Sequence, residues 1–306
     1  MAIATLTLNP ALDVTTCTDK VRHTHKLRCT APRFDPGGGG INVARVIHTL
    51  GGEVTAIFPC GGPAGAMLAT LLEEAGVPIA PVAVEGATRE SFTVDEGETG
   101  KQYRFVLPGA ALAEDELARL LDSLKSADAS HLVVSGSLPP GCDPAVIPRL
   151  GALSREMGAR LVVDTSGAAL AACEGAGIYL LKPSLREVED LLGKTIKDEQ
   201  GELAAARTLL ERGFGEVIVL SLAERGALLV AEGTELRLPA IEVDTKSAVG
   251  AGDSMVAAIT LASSRGRSLP DALRYGIAAG AATLMTPATE LARASDVERL
   301  YAASSV

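Results

Sequence analysis

The stretch KSAVGAGDSMVAA, Lys246 to Ala258, sets a Gly-Ala-Gly turn directly before a helical run and leaves Asp253 in the first turn of that helix. The first amides of a helix have no partner inside it, and the helix dipole adds partial positive charge there, so such a turn attracts anions. Two readings fit the spacing. An acid at this point favours the helix start by itself. Alternatively, the amides hold a phosphoryl group while Asp253 removes a proton from an attacking alcohol. Phosphoryl transfer needs mainly positioning and charge neutralisation, and this stretch could supply both.

A second stretch, RFDPGGGGINVARVIHTLGG, puts Gly37 to Gly40 before another helix. Glycine in regular structure costs about 0.5–1 kcal/mol relative to alanine, so four together need a reason. They could cradle a phosphate, hold a different ligand or bend the chain. Four cations, Lys26, Arg28, Arg89 and Arg104, fall in two polar segments of the chain. Solvation accounts for most exposed cations. Against a net charge of −10, these four also suit a grip on a phosphate already present on a substrate.

Other motifs carry less. LGKT, Leu192 to Thr195, ends like a P-loop, but Val188 stands where the first glycine belongs. GAGDSM has Met255 in the third glycine place of a dinucleotide fingerprint. DTSG, Asp164 to Gly167, occurs once, whereas aspartic-protease chemistry needs paired carboxylates, so it is set aside. His23, His25, His48 and His131 form no metal-ligand pattern, and His23 with His25 reads as a solvated pair.

The elements that must position these residues alternate along the chain. AIATLTL, EVTAIF, HLVVSG, ARLVVD, IYLLK and EVIVL read as buried strands. Between them lie helical patterns at Ile41 to Leu50, Gly65 to Glu74, Glu114 to Lys125, Pro144 to Met157 and Glu199 to Arg212. Three further helices are expected in the C-terminal third. The pattern predicts an α/β fold, a mostly parallel sheet with helices on both faces. The polar segments 12–34 and 88–107 alternate polar and apolar residues and predict a small antiparallel sheet, standing beside the main domain as a lid. Its edges would suit association, so a homodimer joined through the lids is expected. No linker is visible, so residues 1–306 read as one domain.

Composition sets the remaining limits. The 306 residues are 47% hydrophobic, enough for a sizeable core, and the net charge argues against a nucleic-acid or anionic-membrane surface. No window reaches the roughly 18 uninterrupted apolar residues of a membrane span, and the N-terminus lacks a basic leader with a cleavable apolar core. Cys17, Cys29, Cys60, Cys142 and Cys173 lack CxxC spacing and read as reduced thiols, which predicts the cytoplasm.

Taken together, GGGGINVAR and VGAGDS in this order resemble the two glycine signatures of the ribokinase-like, or PfkB, carbohydrate kinases, and the similarity runs from Thr5 to Tyr301. KLRCTAPRFDPGGGGINVAR, QYRFVLPGAAL, VSGSLPPG and GAGDSM look most like the B-type bacterial 6-phosphofructokinase branch. The resemblance implies a three-layer αβα sandwich with a β-sheet lid. It implies transfer of phosphate from ATP to the C1 hydroxyl of fructose 6-phosphate, with Mg2+ and a K+ site. Tagatose 6-phosphate or fructose 1-phosphate as substrate, or a catalytically silent phosphosugar sensor, are the alternatives.

By the same resemblance Asp253 is the base, and the amides of Gly250, Ala251 and Gly252 hold the charge developing on the transferred phosphoryl. Asp13, Gly38, Gly39 and Asn42 contact sugar hydroxyls. Lys26, Arg89, Arg104, Arg28 and Ser137 orient the phosphosugar. Lys182, Ser184, Glu187, Ser221, Ala223 and Gly226 serve the nucleotide, with Glu187 toward magnesium. Ser247, Val249 and Thr286 flank the K+ site. This chain departs from the family pattern at Ser184, where asparagine is common, at Ala248 and at Ala223, where a glycine is expected. Gly39 stands where relatives using fructose 1-phosphate carry lysine. The glycine run then reads as a floor for the sugar, with the nucleotide phosphates at GAGD.

Overall fold

A computed structural model describes residues 2–304 of the chain. From the N-terminus it forms β1 (Ile3–Leu6), β2 (Ala11–Thr18), β3 (Arg33–Gly37), α1 (Gly39–Thr49), β4 (Val54–Cys60), α2 (Gly62–Glu74) and β5 (Ile79–Ala83). Next come β6 (Arg89–Glu96), β7 (Gln102–Val106), α3 (Glu114–Lys125), β8 (His131–Ser135), α4 (Val146–Met157), β9 (Arg160–Asp164) and α5 (Gly167–Ala171). The chain continues through β10 (Leu180–Leu181), α6 (Leu185–Leu192), α7 (Glu199–Glu211), β11 (Val217–Ser221), β12 (Ala227–Ala231) and β13 (Thr234–Leu238). It closes with α8 (Ala251–Ser264), α9 (Leu269–Leu284) and α10 (Ala294–Ala303).

Nine strands make the main sheet, in the order β13-β12-β11-β10-β9-β8-β1-β4-β5. Pairing is parallel from β5 across to β11, and β12 and β13 add an antiparallel edge. Its central strands are apolar almost throughout because both of their faces are covered. Successive side chains point to opposite faces, so each strand feeds two cores. Ile3, Val133 and Val162 pack with α1, α2, α8, α9 and α10. Ala4, Leu132 and Leu161 pack with α3 to α7 on the other face. This is the expected three-layer arrangement. Among the described residues, no helix is long and apolar enough to cross a membrane.

The second sheet, β3-β2-β6-β7, corrects the sequence expectation in two ways. It is mixed rather than antiparallel, because β2 and β6 run parallel over eight register pairs from Ala11↔Arg89 to Thr18↔Glu96. Both strands leave the main sheet in the same direction, and the intervening α1, β4, α2 and β5 supply the crossover that parallel pairing requires. Segment 12–34, expected to belong to the lid sheet, is also strand only near its two ends. Residues 19–32 form a largely exposed excursion between β2 and β3, where the run of charged and histidine residues offers no apolar face to bury.

Candidate active site

Asp253 sits in the first turn of α8, which begins after Gly250 in a left-handed conformation at φ 79°. Both carboxylate oxygens are held. Asn42 Nδ2 donates to Oδ2 at 3.0 Å, and Ser135 Oγ donates to Oδ1 at 3.2 Å. Burial raises the acid to about 6, with the nearby Asp164 carboxylate adding to the effect, while the Asn42 and Ser135 donors and Lys182 pull the other way. An acid in that range is ionised at neutral pH yet remains a competent base.

The glycine run shapes the space beside it. A Cβ on Gly37 would collide with the Asp13 carboxylate, and one on Gly39 would collide with the Ser135 hydroxyl and lie 2.7 Å from the Gly136 amide nitrogen. Gly38, at φ 115°, turns the chain from β3 into α1. The run therefore brings bare backbone between Asp13 and Ser135. Asp13 is also raised to about 6, chiefly by burial and opposed first by Arg104, with Asp35 adding to the rise. Arg89 lies alongside. Its Nη1 donates to Leu107 O and its Nη2 to Asn9 O, both at 3.1 Å, while Nε is buried without a partner. Asn9 in turn donates to Ser137 Oγ at 3.1 Å.

Lys182 is 5% exposed and pairs with Asp164 Oδ1 at 3.1 Å. Burial works against its charge most strongly, but Asp164, Glu187 and Asp253 together hold the ammonium above its ordinary range. Its Nζ would lie 3.7 Å from a Cβ on Gly252, so this cation stands at the Gly-Ala-Gly turn. Ser184 caps α6 reciprocally: its backbone amide and hydroxyl donate to Glu187 Oε2 at 2.7 and 2.8 Å, and its Oγ accepts from the Glu187 amide. Serine thus keeps Glu187 anchored where the family pattern has asparagine. Ser184 bridges to Ser221 at the end of β11. Ala223 holds φ 52°, a conformation natural to the glycine it replaces, and Gly226 closes the same turn at φ 91°.

The loop before α8 faces the loop after α9. Ser247 Oγ donates to Ala288 O at 2.8 Å and accepts from the Val249 amide at 3.3 Å, and Thr286 Oγ1 donates to Glu290 O at 2.6 Å. Nearby, Arg33 from β3 reaches Asp35, Glu290 and Thr289, and Thr289 donates to Asp35 at 2.6 Å.

The fold thus brings together Asp13, Gly38, Gly39, Asn42, Arg89 and Asp253, and on the other side of Gly252 gathers Lys182, Ser184 and Glu187. Lys26 and Arg28 stay apart on the exposed 19–32 loop, and Arg104 is exposed on β7. Sequence reasoning missed Ser135, which ends strand β8 inside VSGSLPPG, a stretch from which only Ser137 was singled out. It also set aside Asp164. DTSG is indeed unpaired as a protease motif, but it delivers the carboxylate that holds Lys182. The five cysteines are free.

Residues 7–293 match the model of the pfkB family carbohydrate kinases. The chain is 50% identical over 301 residues to ATP-dependent 6-phosphofructokinase isozyme 2 of Mycobacterium tuberculosis strain H37Rv, covering 98% of this chain and 88% of the relative. It is 42% identical to the isozyme 2 of Escherichia coli K12, covering 98% of each chain. Phosphofructokinase-2 from E. coli superposes with a TM-score of 0.95 in its complex with potassium, over 98% of each chain. Its complex with substrates and products gives 0.94 over 99% of each, and its tetrameric inhibited form 0.93 over 98% of each. Both are 42% identical to this chain.

Proposed function

Because the chain belongs to the pfkB family of carbohydrate kinases, we propose that it transfers phosphate from ATP to the C1 hydroxyl of fructose 6-phosphate, giving fructose 1,6-bisphosphate and ADP. The observation that carries this reading is Asp253, raised to about 6 and fixed by two donors at the anion-binding start of α8. Asp253 takes the C1 hydroxyl proton as that oxygen attacks. The amides of Gly250, Ala251 and Gly252, with the Lys182 ammonium behind them, meet the charge that develops on the transferred phosphoryl.

The sugar lies on Gly38 and Gly39, with Asp13 and Asn42 on its hydroxyls. Arg89 keeps unused N–H groups for the 6-phosphate, supported by Ser137 and Arg104. Lys26 joins them only when the 19–32 loop folds inward, which is what the second sheet, spanning 12–34 and 88–107, contributes as a lid on a single kinase domain. Excluding water there prevents hydrolysis of ATP. The nucleotide runs along Ser184, Ser221, Ala223 and Gly226.

An all-oxygen set, Glu187 with Asp164 close to Lys182, suits magnesium. When bound, magnesium neutralises the ATP phosphates. Since Glu187 Oε2 is committed to the α6 cap, the residue would hold the ion through its other oxygen or through water. Potassium would sit among the backbone carbonyls near Ser247, Val249 and Thr286; the Ser247 hydroxyl braces the two loops and the Thr286 hydroxyl braces its own loop rather than facing outward. That the E. coli relative forms a complex with potassium supports potassium as the ion.

The exposed Phe92, Phe105 and Val106 of the second sheet, with Leu107 just past β7, would be covered in a homodimer joined through the lids. Free thiols suit the cytoplasm.

ADP release against fructose 6-phosphate, fructose 1-phosphate and tagatose 6-phosphate tests the proposal, with Asp253→Asn alongside. Fastest turnover is expected on fructose 6-phosphate, with Asp253→Asn nearly inactive. Preference for fructose 1-phosphate overturns the substrate. Tight binding without turnover on any sugar makes the protein a sensor.

A further inference from the structure

The side-chain amide of Asn42 lies between two groups of opposite character. Asp253 is a carboxylate, able only to accept, and it receives Asn42 Nδ2 at 3.0 Å. Arg45, one turn further along α1, is a guanidinium, able only to donate, and its Nη1 reaches Asn42 Oδ1 at 3.2 Å. The same Nη1 donates to Pro36 O at 2.9 Å, at the end of β3 where the glycine floor begins. Residues three apart share a helix face, so Arg45 can reach back over Asn42 without leaving its own turn. The guanidinium touches neither Asp253 nor the sugar floor's open side in any hydrogen bond. It holds the two pieces that do the work.

We propose that Arg45 is a positioning residue: anchored on Pro36 O, it fixes the orientation of the Asn42 amide and, through that amide, the base. Burial pushes the Arg45 guanidinium below its ordinary range, with Asp35 and Asp13 opposing that effect and Arg33 adding to it. The inference deepens the kinase reading and rests on it.

A positioning role acts through Asn42, and a double-mutant cycle isolates that dependence. Arg45→Met keeps the aliphatic stem and removes the donors. It should lower kcat by about 10–100-fold, the range seen when an orienting partner is lost. KM for ATP should stay within about twofold, and Arg45→Lys should recover part of the loss because it can still donate to one acceptor. In an Asn42→Ala background Arg45→Met should cost less than about threefold, since the group it orients is already gone. Where Arg45→Met does not fold, as read by thermal unfolding, Arg45→Lys takes its place in the cycle. Full additivity of the two losses, or unchanged kcat in a folded Arg45→Met, overturns the proposal. Wild-type turnover with additive losses refutes this inference alone, whereas absence of any turnover by the wild type overturns it together with the kinase reading.

Discussion

Asp253→Asn should make the protein inactive and more stable at once. In the folded chain Asp253 ionises near 6, against an ordinary carboxylate value of 3.8. The folded-state value is raised, so the group favours the folded state fully below 3.8, and that contribution is lost as pH rises through 6. Well above pH 6 the folded protein carries a carboxylate whose ionisation costs up to about 3 kcal/mol relative to the unfolded chain. Asparagine keeps the shape, accepts from one neighbour and removes the charge that repels Asp164. The expected gain is about 1–3 kcal/mol at pH 8, or about 2–8 °C in Tm for a chain of this size. It should shrink to about half near pH 5 and about a fifth near pH 4, and almost vanish near pH 3. Differential scanning calorimetry of both proteins across that range checks the stability, and ADP release at pH 8 checks a loss in kcat of about 100-fold or more. A variant no more stable at pH 8, or one whose advantage grows as pH falls, would refute the argument that burial of this charge is what tunes the base.

Three further outcomes follow from local geometry. Gly39→Ala puts a methyl against Ser135 and Gly136, so kcat/KM for the sugar should fall by about 10-fold or more with KM for ATP little changed; equal loss for both substrates would show that the glycine floor serves something other than the sugar. Ala223→Gly relieves a left-handed alanine worth about 1–2 kcal/mol, partly offset by glycine's entropy, so Tm should rise by about 1–3 °C in calorimetry; a lower Tm would mean the turn is not strained. Phe105, 55% exposed and paired with Phe92 across β6 and β7, should support association, and Phe105→Glu should shift the protein toward monomer in analytical ultracentrifugation; an unchanged distribution would place the interface elsewhere.

What the sequence made legible divides along physical lines. Near-continuous apolar strands and helical periodicity report burial on both faces, so six of the nine main-sheet strands and most helices were readable, Glu114–Lys125 to the residue, while β5, β12 and β13 were not. Asp253 and the GAGD turn were readable because a helix start after glycine has a local signature. Asn42 became a candidate only through resemblance, and its bond to Asp253 joins residues 211 apart in sequence, which no local pattern encodes. Ser135 and Asp164 fall at the ends of β8 and β9, ordinary strand ends until the parallel register brings them beside Asp253 and Lys182. The second sheet was located but its pairing was misread, since alternation gives the face of a strand and not the direction of its neighbour.

That pairing sets an order of events for the growing chain. β2 emerges early, yet its parallel partner β6 arrives only after β3, α1, β4, α2 and β5 have been made. The loop between them closes at low entropic cost only once those elements have condensed on the main sheet. The second sheet is therefore a late product of folding, built on a scaffold that already holds Gly37 to Gly40.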